Sequence, residues 1–308
     1  MEKLLKKILL QVPVVKAYII EHDNLIRERD TFTRFVPPGH FYSPIPSIVE
    51  VMNDRDKIWS APLSTLPGID LNDAGQLALL DEFDRYYREL PFTDEKSGSL
   101  RYYYANGAYS YSDAIFLYCM IRHIRPAAII EAGSGYSSCV TLDTNELFFN
   151  NAIKCSFIEP FPEVLKGLIK PSDMGKITIH ERRLQDVPME VFRDLRENDI
   201  LFIDSTHVSK IHSDVNYIFH EILPALRAGV YIHFHDIFYP FEYSKEWIEE
   251  GRAWNEQYLL RAFLEFNSHF KIVLFNTFLE TMYEKELRER YPLVFKNPGG
   301  SIWLQKIR

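Results

Sequence analysis

From about residue 110 onward, short continuous apolar runs alternate with segments of helical spacing, and this alternation constrains the fold more than any other feature of the chain. The apolar runs fall at residues 127–133, 154–160, 176–181, 199–205, 230–236, 270–276 and 301–307. Runs of this length bounded by turn residues read as buried strands. Between them, residues 113–124, 136–148, 161–170, 215–229 and 255–266 carry helical patterns. Strands that alternate with helices make βαβ units, hence a mostly parallel sheet covered on both faces. The expected fold class is therefore α/β, a doubly wound seven-stranded sheet. The last strand follows the turn signal Pro298-Gly299-Gly300, after an excursion over 277–300 with one amphipathic helix. A mixed sheet allows such a strand to insert antiparallel.

The first hundred residues lack this rhythm. A basic apolar start, with four Lys and one Glu in twenty residues, reads as a helix. Residues 34–47 hold Pro37, Pro38, Pro44 and Pro46, which exclude a helix interior. Residues 75–90 form a helix with Leu77, Leu80, Phe83 and Tyr87 on one face, stopped by Pro91. The chain thus divides into a helical and Pro-rich N-terminal cap, 1–108, and a main domain, 109–308. The N-terminal apolar stretch is too short and too interrupted to span a bilayer and lacks a signal cleavage site. The three cysteines, Cys119, Cys139 and Cys155, form no C-x-x-C and suit a reducing compartment. A cytoplasmic location follows. A net charge of −8 and a pI near 5.7 give no footprint for nucleic acid.

Doubly wound sheets bind ligands at the carboxyl ends of their strands. The first strand ends in EAGSGYSS, residues 131–138, where glycines permit a tight turn and a close ligand. The second ends in Glu159, placed to accept hydrogen bonds from ribose hydroxyls. A nucleoside cofactor follows. A dinucleotide fingerprint needs a third glycine where Ser138 stands, and there is no Walker G-K-[ST], so NAD and ATP are disfavoured. The pattern Glu131-x-Gly133-x-Gly135, with Glu159 after strand two and Asp204 after strand four, resembles the class I S-adenosylmethionine-dependent methyltransferases. Ser137 replaces the usual third glycine of that loop. More narrowly, residues 202–237 resemble small-molecule O-methyltransferases of the macrocin and catechol type. The resemblance implies a Rossmann-like methyltransferase fold and S-adenosyl-L-methionine as cofactor. It implies Gly133, Ser134, Gly135, Tyr136 and Ser137 along the methionine moiety, Glu131 beneath them, Glu159 at the ribose, Gln185 or Asp186 near the adenine, and Asp204 facing sulfonium and acceptor.

Asp204 and Asp236 end neighbouring strands and together suit Mg²⁺ or another hard divalent ion. Ile237 stands where catechol-type enzymes carry an Asn ligand. The competing feature is histidine, the natural base near neutral pH: His207 or His235 is expected to act on the acceptor, with Asp204, while His233 reads as a hydrogen-bonded core residue. Seven aromatics over 101–118 and eight over 234–258 suit the walls of a small-molecule pocket. The expected acceptor is a sugar, phenol or natural-product hydroxyl, and a homo-oligomer is an open expectation. Two rival readings are an NAD-linked oxidoreductase and a non-catalytic binding protein that kept the fold.

Overall fold

The computed structural model describes residues 12–32, 35–60 and 63–308. The start of the basic apolar stretch, residues 1–11, lies outside them. Two compact units result: residues 1–60 with 246–253, and residues 61–245 with 254–308.

In the first unit, helix α1 (Pro13–Phe32) is followed by the Pro-rich segment and two short helices, α2 (Ile48–Asn53) and α3 (Arg55–Ile58). Ser47 caps α2 by accepting the Glu50 N–H. Among its described side chains, α1 has none fully buried. No helix among the described residues is long and apolar enough to cross a membrane.

The second unit opens with α4 (Asp73–Tyr87) and α5 (Tyr111–Ile124). There follow β1 (Ala128–Ala132), α6 (Tyr136–Phe149), β2 (Lys154–Ile158), α7 (Glu163–Leu168), β3 (Ile177–His180), α8 (Met189–Arg193) and β4 (Ile200–Ile203). Helix α9 (Asp214–Tyr217) runs through a π turn (Ile218–Ile222) into α10 (Leu223–Ala225). The chain then forms β5 (Tyr231–His235), α11 (Lys245–Glu249), α12 (Glu256–Leu264), β6 (Phe270–Phe275), α13 (Asn276–Met282), α14 (Glu284–Arg290) and β7 (Ser301–Lys306). The strands build one sheet in the order β3-β2-β1-β4-β5-β7-β6, with β7 antiparallel to both neighbours and the other pairs parallel. The expected seven-stranded α/β sheet is thus present, and its last strand is antiparallel. The strand order reverses between β1 and β4, and a crevice opens there at the carboxyl ends.

Strands β1 and β4 are buried on both faces, and Phe157, Phe202, Phe234 and Trp303 fill the core. Ten successive residues of α5, Ser112–Ile121, are buried, so this helix is enclosed on every side.

Four details differ from the sequence reading. The compact units divide at residue 60 and not at 108, because α4 packs on α5 and on β6. The buried face of α4 is Gln76, Leu80, Phe83 and Tyr86, with Leu77 and Tyr87 half-buried beside it. Gln76 is inside because it bonds the backbone of Leu71 and Phe275. The 277–300 excursion holds two helices and a 3₁₀ turn (Pro292–Lys296) instead of one helix. The predicted 215–229 helix changes register through a π turn and stops at Ala225. Pro224 supplies no N–H there, and the buried ammonium of Lys306 donates to the carbonyls of Leu223 and Pro224.

Candidate functional site

The loop after β1 turns at Gly133, whose φ of +79° is in the left-handed region. A Cβ at this position would lie 1.9 Å from the carbonyl oxygen of Asp204, so only glycine fits. The close approach has a cause: the Asp204 N–H donates to Ala132 across the β1–β4 pair. Gly135 differs from the sequence reading. Its backbone is extended (φ 178°), and a Cβ there would meet no protein atom. Its N–H donates to Ser138 Oγ.

Beneath the loop lies Glu131, fully buried, with Oε1 accepting from Ser137 (2.6 Å) and Ser138 (2.9 Å). Burial drives its carboxyl up to about 8 even though both serines favour the anion. Its Oε2 and the Oγ of Ser134 are buried without a protein partner.

A cavity of about 460 Å³ opens beside this loop, lined among others by Gly133, Glu159, Phe161, Arg183, Gln185 and Asp204. The Glu159 carboxylate accepts the Phe161 N–H at 2.9 Å, which holds it at the end of β2. Gln185 donates to the His212 carbonyl at 2.8 Å. Of the two adenine-side candidates, only Gln185 lines the cavity. Asp186 is exposed and bound to Arg183 at 2.8 Å. Tyr136 also lies outside the lining, with its hydroxyl 3.1 Å from that of Tyr103.

At the ends of β4 and β5 a second cluster forms around His207. Its Nε2 lies 3.3 Å from Asp204 Oδ1 and 3.5 Å from Asp236 Oδ2, and its Nδ1 lies 2.8 Å from Glu256 Oε2. Burial opposes the charged ring, yet the carboxylates of Asp204 and Glu256 outweigh it and push the imidazole up to about 10. Raised this far, the ring favours its cation at neutral pH, which bears against the expected role of His207 as a free base. Asp204 is held below its ordinary range: burial acts upward, but His235 and His207 prevail. His235 is buried, 3.6 Å from Asp236. Burial acts downward on it, and the charges of Asp236, Asp204 and Asp113 raise it.

One ligand atom from each of Asp204, His207 and Asp236 lies within 4.8 Å of the others, close enough together that one cation could be shared by all three. The anticipated pair of aspartates is thus brought together, and His207 joins it. His233 is a core residue but not a hydrogen-bonded one. Both ring nitrogens lack a partner, and the ring stacks on Phe202 at 4.0 Å. Most of the expected aromatic wall is packing. Tyr102, Tyr104, Phe116, Tyr118 and Phe241 are buried in the core, whereas Trp254 faces His207 at 4.4 Å and Tyr109 faces His235 at 5.1 Å.

A family model described as a methyltransferase domain matches residues 130–237, the stretch from β1 to the residues just past β5. A protein of Archaeoglobus fulgidus, described as uncharacterized, is 37% identical over 172 residues, 54% of this chain and 76% of its own. The chain belongs to the methyltransferase family. The chain is also similar, at low identity, to solved structures. One is the SAH-bound Podospora anserina methyltransferase PaMTH1, with 14% identity, a TM-score of 0.42 and coverage of 80% of this chain and 100% of that one. Another is the SAM-bound O-methyltransferase TomG of Streptomyces achromogenes, with 13% identity, a TM-score of 0.41 and coverage of 78% and 92%. No residue role is carried over from likenesses this distant.

Sequence reasoning missed Glu256, which lies past the matched residues. It stands 49 residues from His207, in the first turn of an amphipathic helix, where an acidic residue ordinarily serves the helix dipole.

Proposed function

We propose that this methyltransferase uses S-adenosylmethionine to methylate an oxygen of a small-molecule acceptor. One observation carries the reading: the cavity at the switch point brings Gly133, Glu159 and Asp204 together, and the strand end and loop around Gly133 hold two buried, unpartnered polar atoms, Glu131 Oε2 and Ser134 Oγ. Those atoms and the Glu159 carboxylate suit a ligand with an amino-acid end and a ribose end. When bound, the cofactor supplies a methyl group activated on a sulfonium. Glu159 then holds the ribose hydroxyls, Gln185 flanks the adenine, and Ser134 with Glu131 lies under the methionine end.

The rest of the chemistry is positioning and proton handling. Both nitrogens of His207 are committed to carboxylates, so an oxygen of Asp204 or Asp236 takes the proton at the centre. The acceptor hydroxyl gives its proton to one of them as the new C–O bond forms and the C–S bond breaks. The cationic ring of His207 keeps both aspartates ionised until that moment. His235 adds positive charge beside Asp236 and is not assigned the base role. Asp204, His207 and Asp236 would also hold a divalent cation, Mg²⁺ included, which would compete with the Nε2 proton and lower the pKa of a bound hydroxyl. The absent third loop glycine remains the argument against an NAD-linked oxidoreductase, and the assembled carboxylate–histidine cluster argues against a binding protein without activity.

Calorimetric titration with S-adenosylhomocysteine tests the cofactor reading. The expected result is a single site that is lost in Glu159→Ala. Heat-silent mixing up to millimolar ligand would overturn it. Transfer of a labelled methyl group to a panel of phenols, sugars and aliphatic alcohols then identifies the acceptor class.

A further inference from the structure

We infer that Glu256 is the positioning residue of the reaction centre, holding a proton on Nδ1 of His207 and so directing Nε2 at Asp204 and Asp236. The inference rests on the methyl-transfer reading above and adds to it a residue that lies outside the strand ends and outside the cavity lining.

Glu256 is fully buried, and both of its oxygens are used. Oε2 meets His207 Nδ1 at 2.8 Å, and Oε1 accepts from Ser205 Oγ at 3.2 Å. A buried carboxylate is costly unless paired, and Ser205 and His207, which pair with this one, lie just past β4. The backbone is held from the same side. The His207 carbonyl accepts the N–H groups of Asn255 (3.0 Å) and Glu256 (3.1 Å), and the ring lies against Trp254. These contacts keep His207 at φ +59°, a left-handed conformation a side-chain-bearing residue rarely adopts unaided.

The imidazole has two orientations, related by a ring flip. The observed one gives Nδ1 the shortest charged contact, 2.8 Å, and leaves Nε2 at 3.3 and 3.5 Å from the two aspartates. A carboxylate on one ring nitrogen fixes the tautomer and direction of the other. Glu256 therefore decides which nitrogen faces the acceptor, from a helix that contributes no residue to the cavity lining. A purely structural carboxylate would anchor α12 and leave the protonation pattern of His207 unaltered.

The test is nitrogen-15 imidazole spectroscopy on histidine-labelled protein, with the His207 signals assigned by their loss in His207→Gln. In the wild type, a slowly exchanging low-field proton on Nδ1 of His207 is expected. In Glu256→Leu it is lost, and the ring becomes a mixture of tautomers. In Glu256→Gln the proton persists but moves upfield, since a neutral acceptor replaces a charged one. A wild-type His207 without a proton on Nδ1 overturns the inference, as does an unchanged Nδ1 signal in either variant. If Glu256→Leu does not fold, the wild type and Glu256→Gln decide alone. Titration of the wild type with S-adenosylhomocysteine is run alongside. Its failure removes the cofactor reading, while the imidazole spectra still judge Glu256 by themselves.

Discussion

At the scale of single residues, burial decides which carboxylates of this domain are charged. Glu131 is enclosed beneath the β1 loop, and its folded pKa of about 8 lies above the ordinary 4.5 of an unfolded chain. A group raised in this way contributes stability that is fully present below about pH 4.5 and is lost as pH rises through 8. Stability should therefore fall between pH 5 and 9 by an amount on the order of a few kcal/mol from this residue. Urea unfolding midpoints across that range measure it, and Glu131→Gln should flatten the profile relative to wild type. A parallel profile in the variant would show that Glu131 is ionised throughout. The same physics makes His207 a cation: three carboxylates surround one ring, and no sequence spacing announces all three.

Among elements, the segment before α5 is locked to α6 by one side chain. Arg101 is buried and donates to Asp143 at 2.6 Å, to Asp173 at 2.8 and 2.5 Å, and to Glu146 at 2.8 Å. Asp143 also accepts the N–H groups of Arg101 and Tyr102, each at 2.8 Å. Removing the guanidinium strands two buried carboxylates, so Arg101→Ala should cost about 3–5 kcal/mol in chemical denaturation. Arg101→Lys should recover only part, since one ammonium lacks the planar fork that serves Asp143 and Asp173 together. Full recovery by lysine would show that charge alone is enough.

The strand elements were readable because a buried strand declares itself by composition. Each of the seven apolar runs is a strand, trimmed by a residue or two where Gly133, Glu159, Asp204 and Asp236 bend out of the sheet. The site residues on those four bends were readable for the same reason, since the fold class says where strands end. The face of α4, the second helix of the 277–300 excursion and the π turn before Pro224 were not readable. Each depends on a distant partner, such as Phe275 for Gln76 or Lys306 for Leu223 and Pro224.

For the whole molecule, stability should be uneven. The sheet of the larger unit has strands buried on both faces, whereas no described side chain of α1 is fully buried. Backbone amides with little buried support open locally at low cost. Hydrogen exchange followed by mass spectrometry should find α1 amides exchanging at least about 100-fold faster than those of β1, β4 and β5. Comparable protection in both would mean that α1 has partners beyond this chain.

The sequence by itself determined the strand count, the α/β class and the residues at the strand ends. Local periodicity and turn chemistry carry all of these. Only the tertiary structure decided that the compact units divide at residue 60, that Gly133 must be glycine while Gly135 faces open space, and that Glu256 lies 2.8 Å from Nδ1 of His207. Those outcomes depend on contacts between residues far apart in the chain, and the charge of a side chain follows from which of them surround it.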